Sequence, residues 1–211
     1  MSNYEQEWDT VWNRKIQGLV GKGRKVYNGF FLRLLRPFLG KDKVFLEVGC
    51  GTASLLVVLA PLCKEALGLD ISSAALEKAE KLAQSKKTTN ARFIKGDCFA
   101  MPFEEGSIDV QWSQGLLEHF DAPEKIVAEQ FRVCKKGGVV IASVPYAYSY
   151  HRIWWFLTRP RFLRSFWPWT DQRFFTKKQL LEVGKKVHAN CRVYLLQPFF
   201  LGVVILEVKK D

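Results

Sequence analysis

The chain has 211 residues, of which 48% are hydrophobic and 25% are charged, and its formal net charge is +11. These values exclude a disordered chain and predict one domain over residues 1–211, because the length supplies one sizeable core but not two. No apolar run reaches the roughly 18 to 20 residues that cross a bilayer. The positive net charge indicates either an anionic partner or only a solvated basic surface.

Residues 1–41 are predicted to form an N-terminal helical cap, with a helix over about 8–39 that Pro37 and Gly40 end. Arg33 and Arg36 fall on the face opposite an apolar stripe. The stripe consists of Tyr27, Phe30, Phe31, Leu34, Leu35 and Phe38. Such a stripe is typical of a helix packed on a core, and a membrane-surface helix is the alternative.

From Val44 to residue 145, short apolar strands alternate with helical stretches. The predicted strands are VFLEVG, EALGLD, ARFIKGD, IDVQWSQ and GGVVIASVP, and the predicted helices cover about 53–60, 73–84 and 123–134. This βαβ rhythm indicates a parallel sheet with helices on both faces. Within 175–211, a helix precedes the strand-like runs 191–198 and 202–209, which are too close for a crossover and should pair antiparallel.

Residues 146–174 are dense in aromatic residues and arginines and are predicted to form a lid or insertion outside the sheet. Three interpretations remain: a wall for an apolar acceptor, a patch that docks on an anionic membrane, or a satellite core beside the N-terminal helix. The residues concerned are Trp154, Trp155, Phe156, Phe162, Phe166, Trp167 and Trp169, with Arg152, Arg159, Arg161 and Arg164.

The five cysteines are scattered and form no C-x-x-C pair. They are Cys50, Cys63, Cys98, Cys134 and Cys191. Acidic residues Glu5, Glu7 and Asp9 stand where a secretory leader would be basic. We therefore predict reduced core thiols in a cytoplasmic protein, and no metal site.

The strand from Val44 leads into a glycine-rich turn, EVGCGTA, which lets the backbone approach a ligand closely. Asp70 ends the second strand, where an acid can accept hydrogen bonds from ribose hydroxyls, and Asp97 ends the third. Glu47 is a charged residue inside an apolar strand. Each acid alone has a structural explanation, as a cap, a turn or an ion pair, but together they indicate a ligand cleft.

These residues resemble the class I S-adenosylmethionine (SAM)-dependent methyltransferases, especially the type 11-like branch with E-x-G-x-G, an acid after the second strand and G-D-x-x-x-x-P-F, here GDCFAMPF. The resemblance covers 42–145 well and 175–209 more loosely. It implies a Rossmann-like, doubly wound, seven-stranded sheet, mostly parallel with an antiparallel last strand. It also implies SAM as cofactor and S-adenosylhomocysteine as product.

On the cofactor side, the resemblance implies that Gly49, Cys50 and Gly51 would accept the methionine part of SAM. Glu47 would support this turn or bind the ammonium group. Asp70 would bind the ribose hydroxyls.

The remaining cofactor positions follow the next strands. Ile71 would pack on the adenine face, and Asp97 with Cys98 would hold the adenine edge. Ser113 and Gln114, at the end of the fourth strand, would lie between cofactor and substrate.

Methyl transfer needs positioning more than a dedicated base. If the acceptor must lose a proton, His119 and His151 are the candidates, although a structural role for His119 is the alternative. We expect a small apolar, aromatic or lipid-like acceptor. A nucleic-acid acceptor, a SAM-binding regulatory protein without catalysis, and a dehydrogenase are alternatives, the last disfavoured because Ser54 replaces the third glycine of its fingerprint.

Overall fold

A computed structural model describes residues 3–13, 27–158, 172–196 and 202–211. The helices are α1 (Asn3–Asn13), α2 (27–35), α3 (Leu56–Leu59), α4 (Ser73–Ser85), α5 (Pro123–Val133), α6 (Tyr150–Leu157) and α7 (Lys177–Lys185). The strands are β1 (Val44–Val48), β2 (Glu65–Asp70), β3 (Ala91–Lys95), β4 (Ile108–Gln114), β5 (Cys134–Pro145), β6 (Cys191–Leu196) and β7 (Val203–Lys209). Short 3-10 turns occupy Arg36–Phe38, Ala60–Leu62 and Leu117–His119.

The seven strands form one sheet in the order β3-β2-β1-β4-β5-β7-β6. Only β7 runs against the others, pairing antiparallel with both β5 and β6. Strand β1 pairs in parallel with β2 on one side and β4 on the other, so the strand order reverses at β1. This topology confirms the predicted doubly wound sheet and brings the carboxyl ends of β1, β2 and β4 together, where such sheets bind ligands.

Helices cover both faces of the sheet. On one face, α2, α3 and α4 pack around Trp112, whose ring centroid lies 5.0 Å from that of Phe31. On the other, α5 and α7 pack on the outer strands, with Ile126 and Leu180 fully buried. The apolar stripe of α2 contacts the first cluster, which confirms the core-packing interpretation. Within the described ranges, no helix is both long and apolar enough to cross a bilayer.

Several element boundaries differ from the prediction. Strand β3 ends at Lys95, so Asp97 lies two residues beyond the strand that it was expected to end. The N-terminal helix begins at Asn3 rather than near residue 8, and 14–26 lie outside the described residues. The helix expected over 53–60 shrinks to Leu56–Leu59, because Ala53 adopts a positive φ of 52° that a helix cannot contain. Strand β5 begins at Cys134, directly after α5.

Part of the 146–174 segment forms α6, outside the sheet. Residues 159–171 lie outside the described part of the chain, as does the side chain of His151 in the first turn of α6. The predictions made on Arg159, Arg161, Arg164, Phe162, Phe166, Trp167 and Trp169 therefore fall outside it too.

All five cysteines are free. Cys50, Cys63 and Cys134 are buried as predicted, whereas Cys98 and Cys191 are only partly buried. Burial raises the pKa of Cys63 and Cys134 to about 11, so these thiols stay protonated near neutral pH.

Candidate functional site

The glycine loop, residues 49–53, follows β1 and lies at the carboxyl edge of the sheet. The backbone N–H groups of Gly49 and Cys50 both donate to the Leu69 carbonyl oxygen, at 2.8 and 3.0 Å. Gly49 and Gly51 have φ values of +68° and +53°, a region that glycine enters without strain. The loop is therefore fixed to the end of β2 by its own backbone.

Asp70 holds this loop from the neighbouring strand. Its Oδ2 accepts a hydrogen bond from Gly51 N at 2.7 Å, and its Oδ1 accepts one from Ser72 N at 2.9 Å. The side chain is buried, and desolvation raises the pKa of the carboxyl although the backbone donors oppose the shift. The acid expected to bind ribose thus also fixes the position of Gly51.

Glu47 has a defined partner inside the apolar strand. Its Oε2 accepts a hydrogen bond from Leu56 N at 3.1 Å, at the start of α3. A carboxylate at a helix N-terminus satisfies a free N–H and interacts favourably with the helix dipole. This contact joins β1 to the start of α3, directly after the glycine loop.

The end of β3 supplies the next part of the site. Asp97 is exposed, and its Oδ1 accepts from Phe99 N at 2.9 Å. Burial, with the Asp97 charge second, raises the pKa of the Cys98 thiol to about 12, so it is a neutral apolar contact rather than a nucleophile.

These elements enclose a cavity of about 480 Å³ at the carboxyl ends of the strands. All the predicted cofactor residues except Ser113 line it. They are Glu47, Gly49, Cys50, Gly51, Asp70, Ile71, Asp97, Cys98 and Gln114. Ser113 is instead enclosed within β4, where it pairs with Val48 across the sheet.

Helix α1 covers the cavity from outside the sheet, a role that the sequence analysis missed. Tyr4, Trp8 and Trp12, spaced by four residues on one helical face, line the cavity. A Cβ placed on Gly51 would collide with the Trp12 ring, so the loop and the helix are in direct contact. The i, i+4, i+8 aromatic spacing was the available signal.

Polar contacts attach α1 to the sheet and to α4. Asp9 Oδ1 accepts from Ser72 Oγ at 2.5 Å and from Ala74 N at 3.1 Å, at the beginning of α4. Lys95, at the end of β3, forms an ion pair with Glu5. Helix α1 is thus attached next to the ends of β2 and β3, and the residues that follow these strands line the cavity.

The acceptor side of the cavity, defined here as Tyr4, Phe99, Glu118, Phe120 and Trp154, is mostly aromatic. The Phe120 ring centroid lies 5.6 Å from that of Tyr4 and 5.1 Å from that of Phe99. Glu118 is only 4% exposed, and burial raises the pKa of its carboxyl to about 8. Sequence reasoning considered only its neighbour in the LEHF phrase and missed Glu118.

His119 also lines the cavity, and its ring meets that of Trp8 edge-on, with centroids 4.9 Å apart. His151 lies in the first turn of α6, where the structure does not describe its side chain. Among the described residues, no cluster of three or more histidine, cysteine or acidic side chains has the arrangement of a metal site.

The strand order and this cavity define a Rossmann-like α/β protein with its ligand site at the topological switch point. Residues 46–142 match the methyltransferase domain family. The uncharacterized methyltransferase YcgJ of Bacillus subtilis (strain 168) is 30% identical over 102 residues, covering 48% of this chain and 40% of that protein. This segment of the chain is therefore similar to methyltransferase domains, and the described part of the chain has the Rossmann-like fold.

Two further similarities extend this result. The ubiquinone biosynthesis O-methyltransferase of Methylococcus capsulatus is 35% identical over 114 residues, 54% of this chain and 47% of that protein. The crystal structure of YcgJ from Bacillus subtilis superposes with a TM-score of 0.67 at 17% identity, covering 88% of this chain and 99% of that one, and shows the shared fold. Matches to the curated relatives span only about half of their lengths or less.

Proposed function

We propose that this protein transfers a methyl group from SAM to a small aromatic or lipid-like acceptor. One observation supports this most strongly: a single cavity has the glycine loop and Asp70 on one side and an aromatic wall with a buried carboxyl on the other. A cofactor and an acceptor bound on these two sides would meet inside one enclosed space, as group transfer requires.

The residues on the cofactor side fit SAM in charge and shape. Glu47, Asp70 and Asp97 make this side of the cavity acidic, which suits a ligand with an ammonium and a sulfonium group. Gly49, Cys50 and Gly51 let a ligand approach the backbone.

The adenosine part has a matching set of contacts. We assign its ribose hydroxyls to Asp70, the adenine face to Ile71, and the adenine edge to Asp97 and Cys98. Gln114 lines the cavity and is assigned to the space between cofactor and acceptor, while Ser113 is buried within β4.

When bound, SAM supplies a methyl group already activated by its positive sulfur. The protein's own residues then need only to align the acceptor and exclude water. Trp8 and Trp12 of α1 cover the cofactor side, and Phe120 packs between Tyr4 and Phe99 on the acceptor side. Electrostatic interactions become stronger in a site from which bound ligands displace water.

The proposed acceptor class is supported by the aromatic wall and by the similarity to the ubiquinone biosynthesis O-methyltransferase. Flat rings pack favourably on aromatic side chains in offset or edge-to-face geometry. Residues 146–174, proposed as a lid, supply Trp154 and Gln172 to the same cavity.

Calorimetric titration with SAM and S-adenosylhomocysteine tests the cofactor assignment. The wild type should bind with micromolar affinity, and Asp70→Asn should weaken binding about 10- to 100-fold, the cost of a lost charged hydrogen bond. Asp42→Asn, on an exposed residue away from the cavity, is the matched control. Absence of binding by the wild type would overturn the proposal and favour the dehydrogenase alternative. Binding without turnover against a cell extract would favour the regulatory alternative.

We also propose that α6 contacts an anionic membrane. Ile153, Phe156 and Leu157 are 63%, 66% and 59% exposed, and Trp154 on the same helix lines the cavity. A lipid-like acceptor could pass from the bilayer to the acceptor side here, and the net charge of +11 favours an anionic surface.

Sedimentation with vesicles tests the membrane contact. Binding should be stronger to phosphatidylglycerol than to phosphatidylcholine, and Phe156→Ser should reduce it. Val58→Ser removes another exposed apolar residue, from α3, and should leave binding unchanged. No sedimentation with anionic vesicles would exclude this contact.

A further inference from the structure

Glu118 is a buried carboxyl on the acceptor side of the cavity, in the 3-10 turn that follows β4. Its side chain is 96% enclosed, and among the described residues its Oε2 has no hydrogen-bond partner. An unpaired buried polar group costs free energy, and such groups are rare in native proteins. A ligand that forms a hydrogen bond with Glu118 Oε2 would offset the free-energy cost of burying this oxygen.

The backbone holds this turn in place from both sides. Arg173 N donates to the Glu118 carbonyl oxygen at 2.9 Å, and Gly115 N donates to the Ser143 carbonyl oxygen at 3.0 Å. Gly115 has a positive φ of 64°, and a Cβ built on it would lie in van der Waals contact with Glu118 Oε1, at 3.4 Å. The backbone therefore fixes the turn that carries Glu118, with the carboxyl next to Gly115.

We propose that Glu118 accepts the proton of a hydroxyl group carried by a flat aromatic acceptor, bound between Glu118 and the rings of Tyr4, Phe99 and Phe120. This inference rests on the proposed methyltransferase function and specifies its acceptor as a phenol or catechol. The aromatic rings of the cavity wall would pack against the ring of the acceptor, and the single carboxyl beside them would face the hydroxyl group on one edge of that ring.

The reaction balances without a further reagent. A lone pair on the acceptor oxygen forms a bond to the methyl carbon, the bond between that carbon and sulfur breaks, and its electron pair stays on sulfur. The proton of the acceptor hydroxyl passes to a Glu118 carboxylate oxygen. The products are a methyl ether, S-adenosylhomocysteine and a protonated Glu118.

The proton affinity of Glu118 suits this role. Burial raises the pKa of the carboxyl to about 8, which brings it nearer to that of a phenol, about 10 in the unperturbed tyrosine side chain. A base works best when its pKa lies near the working pH. The sulfonium charge of SAM in the same cavity favours the ionised carboxylate, so the base would form when the cofactor is present.

Other titratable groups border the same cavity. They are Tyr4, Tyr27, His119, Glu47, Asp70, Asp97, Cys50 and Cys98. The guanidinium of Arg173 is directed to the Phe120 carbonyl oxygen rather than to the carboxyl. Burial, with no charged neighbour, is the main cause of the raised Glu118 pKa.

The experiment uses a panel of alkylated catechols, with their dimethyl ethers as non-methylatable controls. Formation of S-adenosylhomocysteine is followed from about pH 6 to about pH 9 in the wild type, Glu118→Gln, His119→Gln and Glu80→Gln. Catechol binding to the S-adenosylhomocysteine complex is followed by quenching of tryptophan fluorescence. Glu118→Gln has nearly the same shape as the wild type but cannot take up a proton, and Glu80 is an exposed residue of α4.

The wild type should turn over catechols with a rate that rises with pH, and Glu118→Gln should lower kcat about 10²- to 10⁴-fold and abolish the rise. Affinity for S-adenosylhomocysteine should stay unchanged in this variant. Wild-type rates and pH profile in Glu118→Gln would overturn the role of Glu118, as would loss of the pH dependence only in His119→Gln. A wild type that binds the cofactor but neither binds nor methylates catechols would overturn the acceptor class. Failure to bind the cofactor would instead contradict the proposed function itself.

Discussion

The substitution Glu118→Gln should stabilise the protein at alkaline pH. The wild-type carboxyl is enclosed, and burial raises its pKa from 4.5 to about 8. Between these values the folded state keeps a proton that the unfolded state releases, so the free energy of unfolding falls as pH rises. The stability is fully present below about pH 4.5 and is lost as pH rises through about 8, whereas glutamine does not titrate.

The size of the effect follows from the pKa change. Each pKa unit corresponds to about 1.4 kcal/mol, so an ionised Glu118 destabilises the folded wild type by about 4 to 5 kcal/mol. The variant should gain about 1 kcal/mol or less near pH 5 and about 4 kcal/mol near pH 9, relative to the wild type. A difference of this size is a large share of the stability of an ordinary domain.

Urea unfolding at about pH 5 and about pH 9, followed by tryptophan fluorescence, measures this difference. Other titrating groups cancel when the variant is compared with the wild type at the same pH. Glu80→Gln, on the exposed face of α4, should show the same small effect at both values. An equal effect of Glu118→Gln at both pH values would refute the reasoning, because it would mean that the folded carboxyl titrates normally.

Three further substitutions test the site and the core. Gly51→Ala should destabilise the fold by about 1 to 3 kcal/mol in thermal unfolding, because residue 51 has a positive φ and because the new Cβ would collide with the Trp12 ring. Asp9→Ala should cost about 1 kcal/mol and speed hydrogen exchange in α1, because it removes the acceptor of Ser72 Oγ. Leu35→Ala should cost about 2 to 5 kcal/mol in urea unfolding, because the side chain is fully buried in α2.

The sheet could be predicted from sequence because its signals are local. Strand β2 lies where the run EALGLD ends at Asp70, and β4 covers IDVQWSQ as expected. Strands buried on both faces are continuous apolar runs, which stand out between helices. The final antiparallel pair followed from chain length alone, since the three residues between the predicted strands 191–198 and 202–209 leave no room for a crossover helix.

The cofactor side was also predictable, because its residues follow strand ends in a parallel sheet. Glu47, Asp70 and Asp97 are far apart in the chain, but the topology brings the ends of their strands together. What the sequence did not show is which contacts these acids make. Asp70 hydrogen-bonds Gly51 N and Glu47 hydrogen-bonds Leu56 N, and such pairings depend on the folded geometry of the loop.

The acceptor side was not predictable for the same physical reason. Tyr4, Phe99 and Phe120 come from three distant segments, and no local pattern links them. Glu118 is one residue from a histidine that attracted attention as a base, yet only the fold shows that the carboxyl is the enclosed group. Burial of a polar side chain is a tertiary property, so a single acidic residue in a short turn gives no signal in the sequence.

The position of α1 links the two sides of the cavity. Trp12 contacts Gly51 on the cofactor side, and Tyr4, two turns earlier, contacts Phe120 on the acceptor side. Asp9, between them, caps α4 directly after the strand that ends at Asp70. Because one helix lines both sides of the cavity, its undocking would open both sides at once. Burial raises the pKa of Glu118, so an opening that admitted water to this carboxyl would lower its pKa.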